Sequence, residues 1–173
     1  ENVKFKDSKI DWVGEIPINW TLEPLFSLFY ENKTKNKKKS LDILTLSYGE
    51  IKLRDISILD GLYPENFDNY QVVNPNYIII RSTDLQNDHK SLRVGYASIS
   101  GVITSAYLGL ICKKNINTKY FYYYFHLSDL KKVLYGLGGG VRQSLSYDDF
   151  KRFPLICPPE EEQNQIVNIL KQN

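Results

Sequence analysis

The residues best suited to hold a phosphate group lie in a glycine-rich stretch near the carboxyl end of the chain. Four glycines between positions 136 and 140 precede Arg142, Gln143 and Ser144. Glycine lets a backbone approach a ligand closely, and guanidinium, amide and hydroxyl groups all bind phosphate oxygens. Val141 stands where a GxGxxG dinucleotide pattern needs its third glycine, and no GK[ST] follows. The stretch therefore predicts a flexible connection that can contact a nucleic-acid backbone, and it argues against nucleotide binding.

A second string that could carry chemistry is Asn74-Pro75-Asn76-Tyr77. It is similar to the Asn/Asp-Pro-Pro-Tyr motif that holds the target amine in amino-methyltransferases, but it departs from that motif at the third position. No glycine-rich turn after an N-terminal strand offers a site for S-adenosylmethionine. The favoured interpretation is a turn that leads into a strand over residues 77–81.

The histidines and cysteines do not form a ligand pattern. His89 lies in a polar stretch, His126 lies among aromatic residues, and Cys112 and Cys157 are far apart without a CxxC. Metal sites and disulfide frameworks need closer or repeated spacings. The sequence therefore predicts no metal, no cofactor of its own and a reducing cytoplasm as its location.

Length and composition describe one compact domain. The chain has 173 residues, of which 42% are hydrophobic and 13% aromatic, and its 22 Lys and Arg nearly balance 20 Asp and Glu. Such a chain can bury a core, and it is neither an acidic disordered tail nor a strongly cationic arm. No apolar run approaches the length of a membrane span, and the first ten residues do not resemble a signal peptide. Because the sequence contains no methionine, we expect a fragment of a longer protein.

The most cationic feature is a lysine loop between Asn32 and Ser40. It holds five lysines and no acidic residue, which predicts a solvated loop that either tracks phosphate or is simply a mobile surface segment. The five are Lys33, Lys35, Lys37, Lys38 and Lys39.

The elements that must position these residues begin with short strands. Residues 7–20 predict an extended arm held by aromatic side chains, followed by a short helix with Thr21 as N-cap and Pro24 in its first turn. Four apolar runs then predict the strands of a central sheet. They cover residues 41–46, 70–73, 77–81 and 106–112.

Helices are predicted in the C-terminal third. One covers residues 118–135, with Thr118 as its cap, Gly136 as its stop and an apolar stripe along one side; Phe121 and Phe125 add a second apolar face. The members of that stripe are Tyr123, Leu127, Leu130 and Leu134.

Two further helix starts have clear local signals. Ser146 and Asp149 form a capping box, with Leu145 and Phe150 as a hydrophobic staple. The last helix opens after Pro158 and Pro159 with three glutamates in its first turn, where the helix dipole favours carboxylates. Its apolar stripe continues to the last residues without a partner helix in this chain.

Several of these segments together resemble one family. GGVRQSLSYDDFKRFP at residues 139–154 and PPEEEQ at residues 158–163 resemble the end of a target recognition domain and the start of the spacer helix in the specificity (S) subunit of type I restriction-modification systems. DWVGEIP at residues 11–17 with Trp20, VNPNYIII at residues 73–80 and SAYL at residues 105–108 are also similar to segments of that family. The resemblance spans the chain and is weakest over residues 33–90.

The resemblance implies a fold and a function. We expect an α/β (α+β) fold: a single target-recognition-type domain over residues 1–157, with a mixed central sheet and flanking helices, followed at residues 158–173 by the start of a long spacer helix. The implied function is recognition of one half of a bipartite target in double-stranded DNA. The domain would position methyltransferase subunits, which methylate N6 of adenine, and a restriction subunit. A second recognition domain would lie in the same chain or in a second half subunit, and this chain would not be an enzyme.

Candidate contact residues follow from the resemblance and from residue type. Arg142, Gln143 and Ser144 leave the glycine stretch and precede a helix, so we expect them to face DNA. The alternative for Arg142 and Gln143 is that they brace that stretch against the domain. In the divergent middle we expect DNA contacts from polar, basic and aromatic residues, and we expect partner contacts from the last helix. The middle residues are Tyr48, Lys52, Arg54 and Arg81, with Lys37 and Lys38 on phosphates, and the partner-binding residues are Ile166, Ile169 and Leu170.

Two other functions remain open at this point. A free-standing N6-adenine methyltransferase fragment built on residues 74–77 would bind S-adenosylmethionine by itself. A protein-interaction module would use the apolar stripe of the last helix to join a methyltransferase subunit or another helix.

Overall fold

A mixed β-sheet forms the centre of the protein. The structure is a computed structural model that describes residues 3–40, 42–55, 66–113, 116–139 and 143–172. No helix within these ranges is long and apolar enough to cross a lipid bilayer. The strands are β1 Phe5–Asp7, β2 Glu15–Pro17, β3 Thr21–Pro24, β4 Phe29–Glu31, β5 Leu44–Ser47, β6 Glu50–Leu53, β7 Gln71–Val73, β8 Ile78–Ile80, β9 Val94–Tyr96, β10 Gly101–Ile103, β11 Leu108–Cys112 and β12 Pro154–Cys157. The helices are α1 Leu25–Leu28, α2 Thr118–Leu130, α3 Tyr147–Phe150 and α4 Glu160–Lys171, with a 3-10 turn at Val133–Gly136.

The central sheet has six strands in the order β4-β11-β8-β9-β6-β5. β6 pairs with β9 in parallel, and the other neighbours in this sheet are antiparallel. The expected α/β (α+β) class with a mixed central sheet is therefore confirmed. Three of the four strands predicted for the central sheet correspond to β5, β8 and β11. The fourth, predicted over residues 70–73, is β7, which lies outside the central sheet and pairs with β10. Two-stranded ladders join β1 to β2, β7 to β10, and β3 to β12.

Both faces of the central sheet are buried at β8, each in its own cluster of apolar side chains. Ile78 and Ile80 of β8 point into the larger cluster, which contains Phe121 and Phe125 of α2. Ile79 points the other way, into a smaller cluster with residues of β7 and β10. Because successive side chains of a strand face opposite sides, α2 covers one face of the sheet and the β7–β10 ladder covers the other.

The first predicted helix is largely wrong. Residues 21–24, which include the expected cap Thr21 and Pro24, form β3 and pair with β12. Helix α1 spans only Leu25–Leu28, and β4 begins directly after it. The reason is a long-range one: β12 supplies backbone hydrogen bonds to residues 21–24, and a local helical pattern contains no information about that partner.

Helix α2 is shorter than predicted. Its N-cap is Asn117, whose Oδ1 accepts from the backbone N–H groups of Lys119 and Tyr120 at 3.1 and 3.3 Å, so the expected cap Thr118 is wrong by one residue. The helix ends at Leu130. Lys132 then takes a left-handed backbone conformation with φ 60°, which interrupts the helix before the 3-10 turn.

The face that α2 buries also differs from the predicted stripe. Phe121 and Phe125 are fully buried, whereas Leu127 and Leu130 are 45% and 53% exposed. Phenylalanine rings bury more apolar area than leucine side chains, so the aromatic face packs on the sheet. Leu127 and Leu130 of the predicted stripe are left facing outward, whereas Leu134, beyond the end of α2, is buried in the core.

The helix starts near the carboxyl end are confirmed. The Ser146 side chain accepts from the Asp149 N–H, the Asp149 carboxylate accepts from the Ser146 N–H, and Leu145 and Phe150 are both buried. α4 begins at Glu160, as its proline and glutamate signals predicted. The proposed boundary between residues 157 and 158 stays a prediction.

The N-terminal segment holds the first turn of α4. Trp20 donates its Nε1–H to Glu162 at 2.7 Å, and the Asn19 amide donates to the other carboxylate oxygen at 2.8 Å. One turn of the helix is thereby tied to residues more than a hundred positions earlier. The extended arm predicted over residues 7–20 is a β1–β2 hairpin followed by this contact.

Replacing Trp20 with phenylalanine tests this contact. Loss of a hydrogen bond to a carboxylate should lower the free energy of unfolding by about 1–2 kcal/mol in urea denaturation. Trp12→Phe is the matched control, because Trp12 packs on the Tyr124 ring and its indole N–H makes no hydrogen bond to a described residue. Equal losses for the two variants would contradict this role of Trp20.

Candidate nucleic-acid interface

A cleft of about 350 Å³ opens where the β5–β6 turn meets the segment that joins β8 to β9. It brings together two residues expected to contact DNA, Tyr48 and Arg81. The cleft also contains Lys90 and Ser91, whose importance the sequence did not indicate. Its lining is Leu46, Ser47, Tyr48, Arg81, Lys90, Ser91 and Leu92.

Tyr48 occupies the tip of a two-residue hairpin. It is 88% exposed, and both Tyr48 and Gly49 have positive φ, at 52° and 78°. Two successive positive φ values match the type I′ turn, which suits the twist of a hairpin and favours asparagine or glycine. A bulky aromatic residue in this conformation is unusual. The turn therefore holds the Tyr48 ring out in solvent at some cost in backbone energy.

Arg81 and Lys90 contribute different amounts of free charge to the cleft. The Arg81 guanidinium forms an ion pair with Asp88 at 3.2 Å. Hydrogen bonds from Ser91, with a contribution from the Arg81 charge, lower the pKa of Asp88 well below its usual range. Asp88 is therefore ionised at neutral pH and partly neutralises Arg81. Lys90 is exposed and has no ion pair with a described residue, so it carries the cleft's uncompensated positive charge.

Buried Arg93 gives the β8–β9 segment its shape. Its side chain is completely buried, and its guanidinium and Nε–H groups make five hydrogen bonds of 2.5–3.1 Å. Because an arginine side chain has five N–H donors in a fixed plane, all of them are used. The acceptors are the carbonyl groups of Arg81, Thr83, Asp84 and Asp88 and the hydroxyl group of Tyr135.

Hydrogen bonds join the segment between β8 and β9 to α2 and to the residues just beyond it. The backbone N–H of Arg93 donates to the Asp129 carboxylate at 2.7 Å. Asp129 is 1% exposed, and burial raises the pKa of its carboxyl group, against smaller opposing effects from the Arg93 N–H and nearby cations. Lys132, just beyond α2, donates from Nζ to the His89 carbonyl at 2.5 Å. The cleft wall is therefore a fixed surface and not a free loop.

The C-terminal candidates lie beside this wall. Gly139 and Ser144 form an isolated β-bridge, Gln143 has φ 44°, and the Leu145 N–H donates to the Ser82 carbonyl at 2.8 Å. The segment after the glycine stretch is thereby bonded to Ser82, the residue that follows Arg81. Ser144 takes part in the bridge and Gln143 precedes it, Arg142 lies outside the described residues, and DNA contact by these three residues stays a prediction.

The remaining cations predicted to contact DNA lie outside the cleft. Lys52 is exposed on β6, and Arg54 follows β6 with its N–H bonded to the Ile43 carbonyl at 2.7 Å. Lys37 and Lys38 are exposed in a turn of the lysine loop, which bridges to β7 through Lys35 and Gln71. Their contact with DNA stays a prediction.

Two of the three predicted partner-binding residues, Ile166 and Leu170, line an apolar groove of about 330 Å³ between α2 and α4, and Ile169 lies outside its lining. Ile166 is partly buried against the core, and Ile169 and Leu170 are 61% and 43% exposed. Leu127 and Leu130 of α2 form the opposite wall. The complete lining is Tyr120, Tyr123, Tyr124, His126, Leu127, Leu130, Ile166 and Leu170.

Sequence reasoning missed Lys90, Ser91 and Arg93. The only available signal was a polar stretch beside the apolar strand that begins at Val94. Within the described ranges, no group of three or more His, Cys, Asp and Glu side chains could hold a metal ion.

Comparisons with known proteins point to one family. Residues 17–173 match the family model described as the type I restriction modification DNA specificity domain. No curated protein matches the chain.

Solved structures of similar fold come from the same systems. The HsdS subunit from Thermoanaerobacter tengcongensis superposes with a TM-score of 0.59 at 16% identity, covering 97% of this chain and 39% of that one. A structure from work on complex assembly and conformational transition of the type I R-M system gives 0.58 at 16% identity, covering 97% and 40%. The type I restriction-modification system S subunit from M. genitalium gives 0.57 at 19% identity, covering 89% and 38%. The chain thus shares their fold and spans about two fifths of their length.

Arg93→Met tests the origin of the cleft. The substitution leaves five acceptor groups without their donor, so we expect the free energy of unfolding to fall by about 3 kcal/mol. Arg152→Met, at an exposed position, should change it by less than about 0.5 kcal/mol. Urea denaturation measures both. Wild-type stability of Arg93→Met would show that the segment does not depend on this side chain.

Proposed function

The chain belongs to the type I restriction-modification DNA specificity domain family, and we propose that it reads one half of a bipartite target in double-stranded DNA. The family is the specificity component of these systems and is not itself catalytic. We further propose that the domain positions methyltransferase and restriction subunits, that the catalytic steps occur in those subunits, and that it works in the cytoplasm beside a second recognition domain. In this proposal residues 1–157 recognise DNA and residues 158–173 begin the spacer helix.

The cleft beside the β5–β6 turn carries this proposal. It combines an uncompensated cation, Lys90, with a partly neutralised one, Arg81, and an exposed aromatic ring, Tyr48. Cations fix a protein on phosphates, and polar or aromatic groups beside them contact bases. The hydrogen bonds of Arg93 support a preformed wall, and DNA-contacting loops gain from such rigid support.

The apolar groove between α2 and α4 supports a second role as a protein-interaction surface. Leu127 and Leu130 expose apolar area on one of its sides and Leu170 on the other, and Ile169 is exposed on α4 outside its lining. Exposed apolar strips on helices commonly receive another helix. We propose that this groove, with Ile166, contacts a methyltransferase subunit or a second spacer helix, alongside DNA recognition by the cleft.

The geometry gives the methyltransferase alternative no support. Residues 74–77 form the turn between β7 and β8, in which the Tyr77 N–H donates to the Asn74 carbonyl at 3.2 Å. Asn76 has φ 70° and accepts a hydrogen bond from the Tyr96 hydroxyl group. These contacts account for the string as a turn motif.

A domain exchange tests the proposed function. Residues 1–157 would replace one recognition domain of a complete specificity subunit, and N6-methyladenine would be mapped across the genome of cells that co-express its methyltransferase subunits. We expect half of the bipartite motif to change while the other half stays. A folded, assembled chimera that leaves the motif unchanged would contradict DNA reading by this domain.

Salt dependence separates the cleft from the lysine loop. Log affinity falls as log salt concentration rises, and each lost phosphate contact makes this slope less steep by about 0.9. We expect Lys90→Gln to reduce the steepness by this amount for any duplex, whereas exposed Lys171→Gln leaves it unchanged. The double variant Lys37→Gln, Lys38→Gln tests the loop in the same titration. An unchanged slope in the double variant would show that the lysine loop does not contact phosphate. An unchanged slope in Lys90→Gln would show the same for the cleft.

A further inference from the structure

We propose that the β5–β6 hairpin enters the major groove and that Glu50 on it determines specificity by accepting a hydrogen bond from the amino group of a cytosine. This inference rests on the proposed function and names the element that reads the bases. The major groove of B-form DNA accommodates a two-stranded β-ribbon. The hairpin has two strands of four residues each, joined by a two-residue turn. It forms the edge of the central sheet and pairs with β9 only at Glu50 and Tyr96, so two strands project beyond β9.

The two faces of the hairpin have opposite characters. Leu44, Leu46 and Ile51 are buried in the smaller core cluster, which anchors the inner face. The outer face is formed by two cross-strand pairs that alternate with these residues. The pairs are Thr45 with Lys52 and Ser47 with Glu50.

All four outer side chains are of types that read base edges. Lysine donates to guanine, serine and threonine contact either base of a pair, and glutamate accepts from the cytosine amino group. No apolar side chain interrupts this face. A surface strand needs no such set for folding, because its stability comes from the buried leucine and isoleucine side chains on the other face.

The outer face stays open because α2 borders it only along β6, across a groove. α2 packs on β9, and β6 and β5 continue the sheet beyond β9. The space beside β6 is a second groove of about 400 Å³, where the Lys119 ammonium lies 5.3 Å from the Tyr96 ring centroid. Glu50 and Gly49 form part of its lining.

Cations border the hairpin on two sides. Arg81 and Lys90 lie at its tip in the cleft, and Lys119 lies in the groove beside β6. Polar groups between cations are the arrangement expected where base edges lie between two phosphate backbones. Burial raises the pKa of Tyr96 and of Tyr122 in that groove, so both hydroxyl groups stay protonated.

Glu50 is the outer side chain whose charge most restricts what the hairpin can bind. It is exposed, and among the described residues it has no ion pair or side-chain hydrogen bond, although its charge helps to raise the pKa of Tyr122 on α2. A carboxylate beside DNA repels phosphates and therefore lowers affinity for every sequence. It improves binding only where an amino group of a base faces it, so its presence on this surface favours one base over the others.

The test compares Glu50→Ala, the isosteric Glu50→Gln and the control Glu161→Gln, an exposed glutamate on α4. Each variant is made in the specificity subunit that contains this chain, assembled with its methyltransferase subunits. Binding to a duplex library with a randomised half-site gives the preference at each position, and an unrelated duplex gives the non-specific affinity.

We expect Glu50→Ala to lower the preference for cytosine at one position by roughly 10-fold while non-specific affinity rises. Glu50→Gln should move that preference toward adenine, which glutamine reads through two hydrogen bonds, and its unchanged shape guards against a folding defect. Glu161→Gln should leave both quantities unchanged.

Two results would overturn the inference. Unchanged preferences in both Glu50 variants would show that the hairpin does not read bases, and a uniform loss at every position in Glu50→Gln would assign Glu50 a structural role. The wild-type complex distinguishes failure of the hairpin inference from failure of the proposed function. A wild type that prefers some half-sites retains the proposed function even if the hairpin fails, whereas a wild type without preference overturns both.

Discussion

The hydrogen bonds of one buried guanidinium group determine the shape of the candidate interface. Arg93 lies at the start of the buried strand β9, and its five donors bind four carbonyl groups of residues 81–88 and the Tyr135 hydroxyl group. Burying a charge without such partners costs several kcal/mol, so the surrounding segment must fold around it. That segment carries Arg81 and Lys90. The positions of these cations are therefore a consequence of a core interaction.

The layered sheet explains why one part of the surface remains free for DNA. α2 and the β7–β10 ladder bury opposite faces of β8, and α2 contributes Phe121 and Phe125 to the larger core. The β5–β6 hairpin lies at the edge of the sheet beside α2, with its inner face buried and Glu50 and Lys52 of its outer face exposed. Its outer face keeps polar side chains, and its tip adds Tyr48 next to the wall that Arg93 holds. Anchoring on one face and exposure on the other make the hairpin both rigid and accessible.

Local signals predicted the parts of this structure that depend on neighbours in the sequence. The Ser146 capping box, the start of α4 and the buried run at Leu108–Cys112 are examples, and the family resemblance gave the mixed sheet. The pairing of Thr21–Pro24 with β12 was missed because its partner lies far away in the chain. Tyr48 was predicted from its residue type alone. The roles of Arg93 and Glu50 could be recognised only from the fold, which buries Arg93 and places Glu50 on the outer face of a hairpin.

Hydrogen–deuterium exchange of the assembled complex, with and without a duplex that contains its target, shows whether DNA contacts the β5–β6 hairpin and the wall shaped by Arg93. We expect slower exchange of amides at residues 44–53 and 81–93 on addition of the duplex, with little change in the β7–β10 ladder on the opposite face. Protection confined to α2 and α4, with the hairpin unaffected, would contradict this contact.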